Sequence, residues 1–361
     1  MALAKSKKNN KGDAEATNKN YPAIHSMPWL QTAWQHWLTL AKRQGHAYLL
    51  SGPKGIGLEA FAWQVANHVV CSASADQKTQ SACQQCQNCH LFKTHQHPDF
   101  FQLRRLEDKK DISVDQVREL IYKLNETSHQ GGYKVIWVDG VEFLNQSAFN
   151  ALLKSLEEPA AQTLFLLTTH QINRLPATIK SRCQLLSFTP PPLAEAMQWL
   201  QTQAVNADQA LLKRALRLNW GAPLNALSWI NAGLFAEDQQ WKSDLKQCQS
   251  GNKSVSQVVA TWLKWQEPER VFDYFYQWSV SAVRSVMYST ETSIEDKTKN
   301  HQVQNWLRFQ QAVLTAKQIW QGNANKELVL ENLCLEWLQI HQQTRPLETV
   351  FASKLQKGIL A

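Results

Sequence analysis

The sequence has no long hydrophobic run and no concentrated block of charge. No stretch approaches the roughly 18 consecutive apolar residues that span a bilayer, and the N-terminus lacks the apolar core of a secretory signal. Its 38 Lys and Arg exceed its 30 Asp and Glu by only eight over 361 residues, and no segment gathers this excess into a nucleic-acid footprint. These absences argue against membrane-spanning and secreted proteins and favour the cytosol.

The first 20 residues contain almost no large apolar side chains. They carry five lysines against Asp13 and Glu15, so their net charge is 5 − 2 = +3. Such a segment cannot bury enough apolar surface to become ordered. Its acidic residues and its lack of arginine do not fit a mitochondrial presequence. We therefore predict a disordered basic tail over residues 1–20.

The rest of the chain is long enough for two or three domains, since a domain usually has roughly 100–200 residues. Strand-like runs alternate with helical patterns from about residue 46 to Phe188, which predicts a mainly parallel sheet with helices on both faces. The stiff segment over residues 189–192 suits a domain linker. Beyond it only helical periodicity is found, and nine of the 15 tryptophans lie after residue 200. We predict that they mainly fill helix interfaces.

A glycine-spaced loop follows the first predicted strand and opens a helix. A working phosphate-binding loop reads G-x-x-x-x-G-K-[ST], where the lysine neutralises phosphates and the hydroxyl holds Mg²⁺. The remnant keeps Gly52, Gly55 and Gly57. However, Leu58 stands in place of the lysine and Glu59 in place of the hydroxyl. Tight ATP binding is therefore not expected, although Lys54 inside the loop remains an alternative phosphate contact.

The acidic end of a later strand shows a second loss. Asp139 is placed to hold a metal, but Gly140 occupies the position of the carboxylate that would polarise the attacking water. Glu142, two residues further on, is expected to point elsewhere. ATP hydrolysis is thus predicted to lack both its phosphate clamp and its water activator.

Four of the seven cysteines lie within 19 residues and have the spacing C-x₁₁-C-x₂-C-x₂-C. They are Cys71, Cys83, Cys86 and Cys89. Tandem C-x₂-C steps turn sulfurs toward one centre, and four thiolates complete a tetrahedral zinc site with no open position. We predict structural Zn²⁺ in an insert over residues 71–97. The other cysteines, Cys183, Cys248 and Cys334, are expected to be buried.

Other readings of the cysteine insert stay open. Cys71 is the least secure ligand, because His90, His95 or His97 could close the site instead. An iron–sulfur centre is disfavoured because Lys93 occupies the last position of the C-x₂-C-x₂-C-x₃-C pattern. Disulfides would need an oxidising compartment that the sequence does not indicate.

Residues 150–159 (NALLKSLEEP) and 175–183 (LPATIKSRC), taken with the glycine loop, the cysteine insert and the helical tail, resemble the AAA+ clamp-loader subunits of bacterial DNA polymerase III. The resemblance covers nearly the whole chain after about residue 25. It implies an AAA+ α/β domain over residues 21–188, a small helical lid over 189–240 and a helical collar for oligomerisation over 241–361. The tau/gamma subunits of this family keep Lys and Thr in the loop, so the loop sets this chain apart from them.

The resemblance also implies a role and partners. The chain would be a stationary member of a five-subunit ring that opens the sliding clamp and closes it around primed DNA, with tau/gamma and delta subunits as neighbours. It would work in the cytoplasm, at the nucleoid-associated replisome. Ser181, Arg182 and Cys183 correspond to the family's SRC motif, whose arginine reaches the ATP site of the adjacent subunit. A forked, permanently charged guanidinium can stabilise a transferring phosphoryl group from outside.

Two further positions of the resemblance concern nucleotide sensing. Thr168 or Thr169 matches the first sensor position. Leu224 stands where active subunits place an arginine in the second sensor segment. This third loss points the same way as Leu58 and Gly140, toward a subunit that is not an enzyme on its own but belongs to a nucleotidyltransferase complex.

Two alternative functions remain. The chain could itself hydrolyse ATP as a tau/gamma-type motor, against the three losses. It could also be a zinc-dependent DNA-binding adaptor, but the insert has only Lys78 and Lys93 against Asp76, which is little charge for binding phosphates.

Overall fold

The computed structural model describes residues 21–41, 45–73, 81–106, 109–124, 126–288 and 296–342. The chain divides after Glu195 into two compact units. The predicted basic tail, residues 1–20, lies outside the described residues, as do Lys78 and Asp76 of the cysteine insert. Among the described helices, none combines the length and the apolar character that crossing a bilayer requires.

The first unit is built on a five-stranded sheet in which all neighbouring strands are parallel. The strands are β1 (Ala47–Ser51), β2 (Phe100–Arg104), β3 (Lys134–Asp139), β4 (Thr163–Thr169) and β5 (Gln184–Ser187). Their order across the sheet is β2-β3-β4-β1-β5. The central strands β1 and β4 are buried along their whole length, as expected for a parallel sheet covered on both faces. The predicted mainly parallel sheet is confirmed.

Six helices accompany this sheet. They are α1 (Gln31–Ala41), α2 (Leu58–Val70), α3 (Gln87–Lys93), α4 (Val114–Leu124), α5 (Gln146–Glu157) and α6 (Ala177–Lys180). Local sequence explains their starts: the side chain of Asn145 accepts a hydrogen bond of 2.9 Å from the N–H of Ala148 and so caps α5. Apolar residues recur three and four positions apart on α4, as at Val117, Leu120 and Leu124. Together with residues of α5 such as Leu152, they pack with the sheet in one hydrophobic core.

The strand register brings distant residues together at the carboxyl edge of the sheet. Ser51 of β1 pairs with Thr169 of β4, and Asp139 of β3 pairs with Thr168. The residues that follow these strands therefore meet in one crevice, which is where open α/β sheets place their ligands.

The second unit is helical throughout its described residues, which confirms the predicted helical C-terminal region. Its helices, the first of which begins just before the boundary, are α7 (Leu193–Gln203), α8 (Gln209–Leu218), α9 (Pro223–Asn231), α10 (Phe235–Gln249), α11 (Val255–Trp262), α12 (Arg270–Tyr288), α13 (Asp296–Trp320) and α14 (Lys326–Gln342). The predicted border between lid and collar, at residue 240, falls within α10. The division into lid and collar stays a prediction.

Most tryptophans of the helical region fill its interior, as predicted. Six of the nine after residue 200 are buried: Trp229, Trp241, Trp262, Trp306, Trp320 and Trp337. Trp241 and Trp262 both meet the ring of Phe275 edge-on, with centroids 5.2 and 6.0 Å apart, a geometry that favours aromatic pairs.

Candidate functional site

The glycine loop joins β1 to α2 and is packed from outside by the N-terminal segment. Gly57 has a φ of 96°, a left-handed conformation that favours glycine, and a Cβ there would lie 2.9 Å from the sulfur of Met27. The indole N–H of Trp29 donates a 2.8 Å hydrogen bond to the carbonyl of Ile56. Leu58 has no exposed surface. The position that a phosphate-binding lysine would occupy is thus part of the apolar core.

Glu59 stands in place of the Mg²⁺-binding hydroxyl. It contacts His170, which directly follows β4, the strand next to β1. The Nε2 of His170 lies 3.0 Å from a carboxylate oxygen of Glu59, and its Nδ1 lies 2.9 Å from the carbonyl oxygen of Gly52. Both partners are acceptors, so both ring nitrogens must carry protons to donate. The geometry therefore favours an imidazolium that links the first loop glycine to Glu59.

The pKa values of this pair move in opposite directions. Burial lowers the pKa of His170, but its hydrogen bonds to Glu59 and Gly52 and the charges of Glu59 and Glu142 outweigh burial and raise the pKa above its ordinary value. Burial raises the pKa of Glu59, but the hydrogen bond from His170, together with smaller contributions that include the charge of Lys54, lowers it overall. Each group thus stabilises the charged form of the other.

This pair predicts a pH dependence of stability. The contribution of His170 is complete below its unfolded pKa of 6.5 and is lost as the pH rises through its higher folded pKa. The contribution of Glu59 is complete above its unfolded pKa of 4.5 and is lost as the pH falls through its lower folded pKa. We expect the free energy of unfolding, measured in urea, to fall as the pH rises above 6.5, by an amount that His170→Gln abolishes.

The matched control for this prediction is His129→Gln. His129 lies 3.9 Å from Glu126 in an exposed pair, with a histidine side chain that is 61% accessible, so its removal should leave the pH profile unchanged. A His170→Gln profile parallel to that of the parent protein would contradict the imidazolium link.

The carboxylate of Asp139 takes part in the hydrogen bonds that join the strand ends beside the loop. The hydroxyl of Thr168 donates to the carboxylate of Asp139 at 3.1 Å, and the N–H of Gly140 donates to the same hydroxyl at 3.2 Å. Gly140 has a φ of 78°, and a Cβ there would lie 2.6 Å from the ring of Phe143. Only glycine fits at position 140 without rearrangement, because the backbone is left-handed there and the ring of Phe143 is close. A carboxylate side chain at this position would need the ring or the backbone to move.

Glu142 does not point elsewhere, and that expectation is wrong. One of its carboxylate oxygens accepts a 3.1 Å hydrogen bond from the N–H of His170. The other is buried and has no hydrogen-bond partner among the described residues. The short helical turn after Gly140 carries the side chain back to His170, whose pKa its charge helps to raise.

Arg182 lies on a separate part of the first unit, just after α6. One of its terminal nitrogens, Nη2, forms an ion pair with Glu157 at the end of α5, and the other, Nη1, donates a 2.9 Å hydrogen bond to the carbonyl of Thr178. A third of the side chain is accessible. The ion pair with Glu157, within the NALLKSLEEP segment, escaped the sequence analysis.

The neighbours of Arg182 differ in exposure. Ser181 is exposed, and its hydroxyl also accepts from Arg182 at 3.4 Å. Cys183 packs against the core of the first unit, and burial raises the pKa of its thiol to about 11. Leu224, the third predicted loss, lies in the first turn of α9 in the second unit.

The four predicted cysteines come together in one group. Cys71 ends α2, Cys86 caps α3, and the four sulfurs lie within 4.8 Å of one another. The measured sulfur separations are 3.6 Å for Cys71–Cys83, 3.9 Å for Cys71–Cys86 and 4.0 Å for Cys83–Cys89. A tetrahedron with metal–sulfur bonds of about 2.3 Å has edges of about 3.8 Å. The group can therefore hold a metal ion with four thiolates.

Backbone contacts support this arrangement. The N–H groups of Cys83, Cys86 and Cys89 each point to the sulfur of the preceding cysteine of the group at 3.4 Å. Such donors favour thiolates, which are the form that binds metals. The side-chain amide of Asn88 donates 2.9 Å to the carbonyl of Val70 and so ties the insert to α2.

The histidines that could have replaced Cys71 lie outside the sulfur group. The ring of His95 packs against Trp63 with centroids 4.7 Å apart. His97 is buried, and its Nδ1 accepts a 3.2 Å hydrogen bond from the N–H of Asp99. His90 is exposed. Geometry thus favours Cys71 as the fourth ligand.

Comparisons with known proteins point to one family. A sequence profile described as "DNA polymerase III, delta subunit" matches residues 31–192. The chain is 33% identical to "DNA polymerase III subunit delta'" of Pseudomonas aeruginosa over 328 residues, which cover 87% of this chain and 97% of that protein. Its identity with the delta' subunit of Escherichia coli K12 is 37% over 230 residues, or 63% and 66% of the two chains.

The chain is also similar, over a shorter stretch, to a tau/gamma subunit. "DNA polymerase III subunit tau/gamma" of Haemophilus influenzae is 32% identical over 203 residues, which cover 55% of this chain and 28% of that one. The match to a delta' subunit over nearly its full length is the more extensive of the two. The resemblance drawn from the sequence is confirmed, and the chain belongs to the family of DNA polymerase III delta' subunits.

Proposed function

We propose that this chain is a non-hydrolysing subunit of the DNA polymerase III clamp loader and helps to load the sliding clamp onto primed DNA. Its contribution to ATP hydrolysis is Arg182, which it supplies in trans to the ATP site of a neighbouring tau/gamma subunit. The observation that carries the first part is the link from Gly52 through His170 to Glu59, because it fills the crevice where a nucleotide would place its phosphates.

Charge supports the same proposal. A triphosphate entering the crevice would meet the carboxylates of Glu59 and Glu142 without the lysine that normally neutralises it. It would also have to separate Glu59 from His170, which lie 3.0 Å apart and are largely buried. The attraction between opposite charges at this distance is worth several kcal/mol, as an order of magnitude, at a partly buried site. Repulsion between the phosphates and the two carboxylates adds to this cost. ATP is therefore excluded by residues of the chain itself.

The cysteine group is proposed to hold Zn²⁺. Four thiolates from Cys71, Cys83, Cys86 and Cys89 leave no open coordination position, so the ion would fix the insert and take no part in chemistry. When bound, it would join the end of α2 to the start of α3.

The assembly part of the proposal follows from membership of the family. The partners are the tau/gamma and delta subunits, with the sliding clamp and DNA reached through the complex, in the bacterial replisome. The helical second unit would supply a lid over residues 189–240 and a collar over 241–361. The insert does not favour the DNA-binding adaptor, because its sequence has only Lys78 and Lys93 against Asp76.

The direct test is nucleotide binding by the isolated, pure chain. We expect no saturable binding of a fluorescent ATP analogue at millimolar concentrations and no ATP hydrolysis, with a tau/gamma subunit as the positive control. Saturable binding or turnover that Lys54→Ala removes would overturn the proposal in favour of an active ATPase, since Lys54 is the cation within the loop.

A further inference from the structure

The helical second unit contains a polar cleft that none of the sites above uses. Its volume is about 160 Å³, several times the roughly 30 Å³ share of one water molecule. Six residues of three helices, α8, α10 and α12, line it: Arg214, Arg217, Lys242, Trp278, Ser281 and Ala282. Three of them are cations, and no acidic side chain is part of the lining.

Two of these cations are fixed by a buried carboxylate. Asp238 has no exposed surface. It accepts from the Nε of Arg214 at 3.0 Å and from the Nζ of Lys242 at 2.6 Å, and the Nη2 of Arg214 also contacts it. A buried charge must be paired to be tolerated, so this triad holds both cations at the wall of the cleft. The Nη1 of Arg214 is left out of the contacts with Asp238.

The third cation is not neutralised in the same way. Arg217 lies one turn after Arg214 on α8, is exposed, and makes no ion pair within the part of the chain that the structure describes. Three cations and one carboxylate give the cleft 3 − 1 = +2. The indole of Trp278 also lines the cleft and is held edge-on against Trp241, with centroids 5.3 Å apart.

We propose that this cleft binds a dianionic phosphate group. A terminal phosphate carries about −1.5 to −2 charges at pH 7, which matches the cleft, and two arginines offer forked donors suited to its oxygens. A phosphodiester carries one charge and matches less well. The dianion could come from free inorganic phosphate or from the 5′-phosphate of a nucleic acid end, and both present the same group to the arginines.

The experiment is calorimetric titration of the full chain with three probes: inorganic phosphate, a short single-stranded oligonucleotide with a 5′-phosphate, and the same oligonucleotide with a 5′-hydroxyl. We expect the 5′-phosphate to bind at least about tenfold tighter than the 5′-hydroxyl, because the charged hydrogen bonds to Arg217 are lost with the phosphate. Tighter binding of the oligonucleotide than of inorganic phosphate would identify the nucleic acid end as the source, and equal affinity would identify free phosphate.

The variant is Arg217→Ala and its matched control is Lys213→Ala, which removes an exposed cation of the same helix that is not part of the cleft. Arg217→Ala should weaken phosphate binding at least about tenfold, and Lys213→Ala should not. Arg214 is avoided because its loss would leave Asp238 buried with one partner. Equal effects of the two variants, equal binding of the two oligonucleotides, or no binding at millimolar probe would each overturn the proposal.

Discussion

Replacing Arg182 with alanine is expected to lower ATP hydrolysis by about 10³ at the one site that it reaches, in a clamp loader reconstituted with tau/gamma and delta subunits, clamp and primed DNA. An arginine supplied from outside acts on charge that develops in the transition state, so its loss should lower kcat more than it changes KM. The bulk rate would fall less, because the other ATP sites keep their own arginines.

The control for this prediction is Arg174→Ala. Arg174 is an exposed arginine of the first unit that precedes α6, so its removal tests for a general loss of positive charge. Arg182→Lys adds a second comparison, since lysine keeps the charge but loses the fork. Intact assembly with an unchanged rate would mean that Arg182 is structural, and failure to assemble would return the adaptor function to consideration.

The contacts of Arg182 are compatible with a residue that changes partners. Its ion pair with Glu157 joins side chains that are 33% and 48% accessible, and such pairs contribute only about 0–1 kcal/mol. A phosphate group of an adjacent subunit can therefore compete for the guanidinium at small cost. Glu157 meanwhile keeps the charge paired while no phosphate is present.

The second large effect concerns the metal. Cys89→Ser is expected to reduce bound zinc, measured by mass spectrometry of the purified chain, from about one ion per chain to a small fraction of that, because sulfur is a much better ligand for zinc than a serine hydroxyl. Structural zinc contributes roughly 10–16 kcal/mol to small zinc-binding peptides. Amide hydrogen exchange in residues 81–93 should therefore lose its protection, while α10 to α14 keep theirs.

Cys183→Ser controls for the loss of a thiol as such. Cys183 lies in the same unit but outside the sulfur group. The Cys183→Ser variant should therefore retain about one zinc ion per chain. Stoichiometric zinc in Cys89→Ser, or loss of protection throughout the helical unit on mild chelation, would show that the metal is held differently or has a wider structural role.

Local pattern was enough to predict much of this fold. The helix after the glycine loop runs from Leu58 to Val70, because the left-handed glycine fixes its start and apolar residues recur at helical spacing. The cysteine group was predictable because three of its ligands share one short segment and are separated from each other by two intervening residues. Spacing left only the fourth ligand open, and the geometry favours Cys71 there.

The contacts that close the crevice could not be predicted from local pattern. Glu59 and His170 are 111 residues apart, and the two meet because β1 and β4 are neighbours in register. A signal was available: Gly52 and His170 each directly follow one of the two strands whose last residues pair. The ion pair of Glu157 with Arg182 had no such signal, because it depends on how α5 and the end of α6 pack.

Gly140 bears on whether an ATPase site could be built into this subunit by substitution. Restoring the lysine and the hydroxyl of the loop would require two substitutions, one of them at a fully buried position. A carboxylate at 140 would then have to enter a left-handed backbone beside the ring of Phe143. A lysine at 58 and a carboxylate at 140 are therefore each expected to lower the free energy of unfolding, so the packing of this fold itself opposes a hydrolytic site.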